Sequence, residues 1–305
     1  MDVRRLRLLL ELTRRGTITA VADALAYTPS AVSQQLAALE REAGVPLLER
    51  TGRKVALTPA GTVLARYAGS VIAVLEEASA ALAATRDSLT GPLRIGAFPT
   101  AARTILPPAL VALGRDHPAL ELMVTELDPV AVPDALRTGA LDVALTFTYD
   151  YVPAPPDPAL ETEPLLEEPV YLAASDRLRT GIGDCRDAPW IAGSPDTLCH
   201  TLVIRACQAC GFTPRIRHYA DDFATVLALV AAGQGVSLIP ELGVTDAPPG
   251  VTLTPLTARR RTGIAYRKGT RHHPVISAFA AAIQAARAPA WASPGAPAAA
   301  HRTAR

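Results

Sequence analysis

The sequence predicts a small helical unit, a long connecting helix and a larger α/β unit, and three observations lead there. Apolar residues recur at helical spacing from the first residues to Gly91-Pro92, a basic turn interrupts them near residue 50, and beyond Gly91 short β-type runs alternate with helical ones. With 305 residues the chain is too long for one ordinary core and calls for roughly two domains.

The first helix runs from Val3 to Arg15, with Leu6, Leu9, Leu10 and Leu12 at helical spacing and Gly16 ending it. Thr17 caps a second helix that reaches about Tyr27. Thr28 caps a third, with Pro29 in the first turn where a missing N–H costs least, and this helix runs to about Glu42. Gly44 to Leu48 form a break and an apolar anchor. Arg50-Thr51-Gly52-Arg53-Lys54 then reads as a tight basic turn between two short strands, the shape of a wing. Thr58-Pro59 opens a helix with no breaker except Gly61 and Gly69 until Gly91-Pro92, which would be roughly 45 Å long. Strands are expected at Leu93–Ala97, Leu120–Glu126, Leu141–Phe147, Val170–Ala174, Trp190–Ala192, Ile216–Tyr219, Val236–Ile239 and Gly263–Tyr266, with helices between several of them. Such alternation predicts α/β architecture with ligands near the carboxyl ends of strands. Val152 to Pro158 is a proline-rich surface connection, and beyond about Ala286 an Ala, Pro and Arg tail without periodicity predicts disorder.

Composition excludes several classes. Nearly half the residues (49%) are apolar, enough for a sizeable core, yet runs such as Val226 to Ala232 stop far short of the roughly 20 residues of a membrane span. The leucines after Arg5 lead into Glu11, Arg14 and Arg15 where a signal peptide would place a cleavage site, so a cytoplasmic location is expected. Cys185, Cys199, Cys207 and Cys210 all lie in the C-terminal half, unlike a disulfide framework, and reduced thiols are expected. The net charge is +1, with nine Lys or Arg against six Asp or Glu in residues 1–60. That bias is mild, so nucleic-acid binding has to rest on the motif.

On the third helix, Val32, Leu36 and Leu39 share one face, with Ser30, Ser33, Gln34, Ala37 and Arg41 opposite. A major-groove reader needs such small side chains, with amides and hydroxyls for base edges. The plain alternative is an amphipathic surface helix, and for Arg50, Arg53 and Lys54 a solvated loop. The order helix, helix, basic wing favours DNA: Thr28, Ser30, Ser33 and Gln34 at the groove, and Arg50, Arg53 and Lys54 on phosphates. Along the long helix, Leu64, Ala68, Val71, Leu75, Ala78, Leu82, Thr85 and Leu89 alternate in steps of four and three. That is a coiled-coil seam, with Leu64, Val71, Leu75 and Leu82 as dimer contacts; burial against its own domain is the alternative.

Gly16-Thr17-Ile18-Thr19-Ala20-Val21-Ala22-Asp23-Ala24-Leu25, Thr28-Pro29-Ser30-Ala31-Val32-Ser33-Gln34-Gln35-Leu36, Leu39 to Arg50 and Leu57-Thr58-Pro59-Ala60-Gly61 together resemble the N-terminal signature of LysR-type regulators. Leu48 stands where that family usually has Phe, and Pro29 where a polar residue is common. The resemblance implies a homodimer, often a dimer of dimers, that binds promoter DNA and regulates transcription without a cofactor. It further implies a winged helix-turn-helix over 1–58, a linker helix over 59–90, an effector-binding domain over 91–287 and a tail over 288–305. The effector domain would resemble periplasmic binding proteins, with lobe one at 92–165 plus 265–287, lobe two at 166–264, and a small molecule in the cleft. Thr100 as a cap, Arg103, Thr146, Ser194 and Phe223 fall at cleft-facing positions on this mapping, although each also fits an ordinary cap, surface or core role.

Cys207-Gln208-Ala209-Cys210 with Cys199 and His200 nearby invites a zinc reading, but no second pair stands at finger spacing and no metal is expected. Some members of the family sense peroxide through a cysteine pair in this region, and Cys199 with Cys207 has a similar separation. Small buried residues on a helix are the alternative. An enzyme or a ligand-binding protein with a helical appendage is the rival class. The chain lacks a nucleophile elbow, a phosphate loop of the G-x-x-x-x-G-K type and an H-E-x-x-H motif.

Overall fold

Capping residues mark every boundary of the N-terminal unit. The computed structural model describes residues 1–51, 54–153, 155–175, 180–244 and 247–290. Helix α1 (Val3–Arg15) starts where the Asp2 side chain accepts the Arg4 N–H and stops at Gly16 in the left-handed region. Helix α2 (Ile18–Ala24) starts on Thr17, and α3 (Pro29–Ala43) on Thr28, whose hydroxyl accepts the Ala31 N–H. Leu6, Leu9 and Leu12 of α1, Val21 of α2 and Val32, Leu36 and Leu39 of α3 form one core. Burying each of these larger side chains stabilises the unit by about 1.5–3 kcal/mol.

Strands β1 (Leu48–Thr51) and β2 (Lys54–Leu57) pair antiparallel as the predicted wing. Its tip, Gly52 and Arg53, lies outside the described residues, as do the side chains of Arg50 and Lys54. The Glu40 carboxylate accepts the Leu47 and Leu48 N–H groups at 2.9 and 3.0 Å, which ties the wing to α3. Helix α4 (Pro59–Ala83) is capped by Thr58, and a Cβ at Gly61 would overlap the Leu47 carbonyl, so only glycine allows that approach.

At 25 residues α4 spans about 38 Å and ends eight residues before Gly91. Thr85, with its hydroxyl on the Leu82 carbonyl at 2.8 Å, opens the turn that ends it, and Arg86 to Ser88 are exposed with no apolar face to bury. Thr85 and Leu89 therefore lie beyond the helix and cannot extend its seam.

The C-terminal part contains β3 (Gly91–Ala97), α5 (Pro99–Thr104), α6 (Leu106–Asp116), β4 (Leu120–Glu126), α7 (Val132–Thr138) and β5 (Val143–Tyr149). Then come β6 (Leu160–Ala174), β7 (Pro189–Ala192), α8 (Leu198–Ala209), β8 (Arg215–Tyr219), α9 (Phe223–Ala231), β9 (Ser237–Pro240), β10 (Thr252–Arg267) and α10 (Pro274–Ala290). The main sheet has the order β4-β3-β5-β10-β6-β9. Strands β3, β4 and β5 with α5, α6, α7 and α10 build one α/β lobe. In the other, β7 and β8 pair in parallel and join β9 through a bridge from Trp190 to Val236.

The long strands β6 and β10 run antiparallel through both lobes. The expected strands Val170–Ala174 and Gly263–Tyr266 are only segments of these 15- and 16-residue strands. Charged runs hid the remainder: Glu167 and Glu168 sit opposite Arg261 and Arg260, so each strand supplies the other's counter-charges. Helix α10 continues to Ala290, past the expected end near Ala286, because Ile276, Phe279 and Ile283 seat it on the core. The expected tail lies outside the described residues from 291 onward. Among the described residues no helix is long and apolar enough to cross a membrane.

Candidate functional site

Two surfaces carry chemistry. The first is the outer face of α3. Val32, Leu36 and Leu39 face the core, while Thr28, Ser30, Gln34 and Arg41 are exposed and Ser33 is half-buried. The neighbouring Gln35 accepts a hydrogen bond from Arg5 at 2.9 Å, yet the side chains of Ser30, Ser33, Gln34 and Arg41 have no hydrogen-bond partner within the described residues. The helix thus presents unused donors and acceptors along one side, beside the β1–β2 wing. In the turn before it, Ala26 holds φ at 55°, and the Tyr27 N–H reaches back to the Ala22 carbonyl at 2.9 Å.

Helix α4 divides its faces. Leu64, Ala65 and Ala68 pack on the N-terminal core, so the expected seam does not begin at Leu64 and Ala68. These residues cover α1, which makes the plain alternative correct for the first turns. Further along, Val71, Val74, Leu75 and Leu82 are exposed, Leu82 to 70%, and Val63 and Tyr67 extend that stripe toward the N-terminus.

The second surface is a cavity of about 210 Å³ between the lobes. Strand ends and helix starts converge there: Phe98 and Thr100 after β3, Asp128 after β4, Phe147 and Tyr149 on β5, Cys199 on α8 and Phe223 on α9. Arg260 of β10 forms the inner wall and is only 1% exposed. Its Nε donates to Glu168, 2% exposed, at 2.7 Å, and its Nη2 donates to the Thr100 hydroxyl at 3.3 Å. The guanidinium lies 5.0 Å from the ring centres of both Phe98 and Phe147, and its Nη1 has no hydrogen bond among the described residues.

Burial raises the Glu168 pKa, with Arg260 opposing that shift. Burial is the largest influence on Arg260 and works to lower its pKa, but Glu168, Tyr149 and Cys199 together outweigh it and the net shift is upward. The two groups face each other as an ion pair. Burial raises Asp128 as well, while the Val130 and Leu198 N–H groups pull it back. The Cys199 thiol lies 3.6 Å from the Tyr149 hydroxyl, and burial pushes it up to about 11. Cys207, buried on the same helix, is pushed by burial to about 12, whereas Cys210 is exposed. No group of three or more His, Cys, Asp or Glu able to hold a metal occurs among the described residues.

The predicted effector residues divide. Thr100 and Phe223 line the cavity. Thr100 is not a cap, however: Phe98 holds that position and Thr100 lies inside α5, accepting from Arg260. Ser194 meets the mouth indirectly, donating from its N–H and hydroxyl to Asp221 at 2.7 and 2.5 Å. Arg103 pairs with Asp222 at 3.6 Å on the rim. Thr146 lies in a separate cavity of about 910 Å³ with Leu166 and Arg261, which shares Pro129 and Phe147 with the interlobe cavity. Its neighbour Phe147 lines both cavities, whereas Thr146 does not reach the one between the lobes. Sequence reasoning missed Arg260, Glu168 and Tyr149. The signal was the triplet Arg259-Arg260-Arg261, in which strand alternation turns the middle residue inward.

A DNA-reading helix with a wing, joined by a long helix to a two-lobed domain with a ligand-sized cavity, defines a transcription regulator with an effector-binding domain. The model of the bacterial regulatory helix-turn-helix proteins of the lysR family matches residues 3–62, and that of the LysR substrate binding domain matches residues 86–288. The chain belongs to the LysR family. It is 30% identical over 303 residues to the DNA-binding transcriptional dual regulator OxyR of Escherichia coli K12, covering 94% of this chain and 95% of that one. GltC, a transcriptional dual regulator of Bacillus subtilis, is 27% identical over 261 residues, covering 83% and 85%. Among solved structures, a mutant of Corynebacterium glutamicum OxyR described as H2O2-bound superposes with TM-score 0.55 at 28% identity, covering 93% of this chain and 92% of that one. Full-length BenM gives TM-score 0.56 at 25% identity, covering 94% and 97%.

Proposed function

We propose that the chain is a cytoplasmic, non-enzymatic regulator that dimerises through the exposed stripe of α4. In this reading α3 enters the major groove, where Ser30, Ser33 and Gln34 meet base edges. Thr28 lies at the same groove, and the wing residues Arg50, Arg53 and Lys54 meet phosphates. The observation that carries the reading is the row of polar side chains on α3 with no partner among the described residues.

A footprint on the DNA upstream of the chain's own gene, followed by affinity measured against salt, tests it. Arg53→Ala should weaken binding to all sequences and reduce the salt slope by about one, while Gln34→Ala should relax base preference and leave the slope unchanged. An Arg53→Ala chain with unaltered affinity and slope would remove the wing from the interface.

The effector reading places a small molecule in the interlobe cavity, with an acceptor oxygen on the free Nη1 of Arg260 and its body between Thr100 and Phe223. Binding there would bias the lobes and, through α4, the spacing of two α3 helices. The expected result is that a cognate metabolite raises the melting temperature of the chain and that Thr100→Val abolishes the rise.

Relatives named hydrogen peroxide-inducible genes activators, together with the place of Cys199 in this cavity, support a second reading. Here peroxide oxidises Cys199 to a sulfenic acid, releasing water. Two features weigh against a simple thiol switch. The Cys199 thiol is held protonated, and Cys207 lies eight positions along α8, about 12 Å away, beyond the roughly 7 Å limit for a disulfide. Titrating free thiols before and after mild peroxide, with DNA affinity measured in both states, separates the two readings.

A further inference from the structure

A second cavity, of about 290 Å³, lies where the N-terminal unit meets the first lobe. Its walls come from α1, the turn before α3, the middle of α4, the end of α7 and the end of β10. The two units meet closely here. A Cβ at Gly269 would overlap the Ala73 carbonyl of α4, so the loop after β10 presses backbone against helix. Arg267 pairs with Glu76 of α4 at 3.3 Å, and Arg14 of α1 pairs with Asp157 at 3.1 Å.

Charge and shape are uneven within this cavity. Six cations line it, Arg4, Arg7, Arg14, Arg137, Arg267 and Lys268, against two carboxylates, Glu11 and Glu76. Asp134 and Asp157 reach Arg137 and Arg14 from outside the wall, and the carboxylates are shared: Glu11 alone serves Arg14, Arg15 and Arg137. The side chains of Arg4 and Lys268 have no hydrogen-bond or ion-pair partner within the described residues. Arg137, by contrast, is committed to three carboxylates, Asp157 at 2.5 Å, Asp134 at 2.9 Å and, through its Nε, Glu11 at 3.5 Å. Behind these cations the wall is apolar, formed by Leu8, Leu25, Ile72 and Ala73.

Gly69 provides a separate observation. It sits in the middle of α4, where glycine costs about 1 kcal/mol relative to alanine, yet a Cβ there would meet nothing within 4 Å. Packing does not demand the glycine; on the cavity wall it keeps the space open.

We propose that this cavity is a second ligand site, distinct from the one between the lobes, and that it takes a small amphipathic carboxylate whose anionic head meets Arg4 and Lys268 and whose apolar body lies on Leu8, Leu25 and Ile72. A ligand held there touches the DNA-binding unit, the linker helix and the effector domain together, so it fastens the three.

Octanoate titrated calorimetrically into the full chain tests the proposal. Saturable binding is expected, at least tenfold tighter than that of octan-1-ol, which lacks the charge, or of inorganic phosphate, which lacks the apolar body. Gly69→Phe, which fills the cavity, and the Arg4→Glu/Lys268→Glu double variant, which reverses two exposed charges, should each weaken octanoate at least tenfold. Thr100→Val, in the interlobe cavity, should leave it unchanged. Absence of saturable binding overturns the proposal, as does unchanged affinity in the charge-reversed chain, which decides the matter even if Gly69→Phe does not fold. Loss of binding in Thr100→Val alone assigns octanoate to the interlobe site and overturns the proposal equally.

Discussion

The outer face of α3 and the wall of the interlobe cavity treat polar groups in opposite ways. On α3 the hydroxyls of Ser30 and Ser33 and the amide of Gln34 have no partner among the described residues. In the cavity Arg260 is answered by Glu168 and Thr100, Cys199 by Tyr149, and Asp221 by Ser194. A surface that meets a large, wet, charged partner can leave its groups to water until the partner arrives. A buried pocket cannot, because an unpaired charge away from water is costly, so its groups are paired internally and, among the described residues, the Arg260 Nη1 is left over for a ligand. Side chains on α3 should therefore matter for binding and little for stability, and the cavity should show the reverse.

The most severe test is Arg260→Ala. Leaving Glu168 buried without its partner should cost about 3–5 kcal/mol in denaturant unfolding, and adding Glu168→Leu should recover most of it. An Arg260→Ala chain as stable as the parent would show that the pair is open to water and would dissolve the contrast.

Gln34→Ala is its mirror: about 1–3 kcal/mol lost in discrimination between a target and a singly altered site, with unfolding free energy within about 0.5 kcal/mol of the parent. Destabilisation beyond that would mean the α3 face is packed and not free.

Thiol reactivity sharpens the comparison within one domain. Cys199, pushed from the ordinary 9.0 to about 11, carries roughly a hundredfold less thiolate near neutral pH, and Cys207 at about 12 carries less still. A thiol is protonated below its pKa, so alkylation of Cys199 should rise about tenfold per pH unit up to about 11, while exposed Cys210 reacts first. Mass spectrometry of iodoacetamide-treated protein reads the order, and fast labelling of Cys199 at neutral pH would favour the peroxide reading.

The smallest effect concerns the turn before α3. Ala26 occupies the left-handed region, which costs an alanine about 1–2 kcal/mol, so Ala26→Gly should stabilise the chain by about 0.5 kcal/mol after glycine's greater freedom in the unfolded chain is counted. A loss of stability would mean the Ala26 methyl group packs usefully.

The N-terminal unit was legible because each of its parts is local. Thr17, Thr28, Thr58, Gly16 and Gly44 mark boundaries by hydrogen bonds and dihedral angles confined to neighbouring residues, and the core and polar faces of α3 follow from a single period. Even so, local pattern overextended α4 to residue 90. Nothing in its apolar spacing shows that Leu64 and Ala68 are taken up by α1 while Val71 and Leu82 stay exposed.

The amino-acid order alone determined the helices, their caps, the wing and the α/β alternation, since these depend on interactions within a few residues. Tertiary structure alone decided the two cavities. Arg260 and Glu168 stand 92 residues apart and meet only because β6 and β10 pair in one register. Gly69, Arg137 and Lys268 share a wall only because the effector domain folds back onto α4. Contacts between distant segments are selected by burial and charge pairing across the whole molecule, and no short stretch of sequence carries that information.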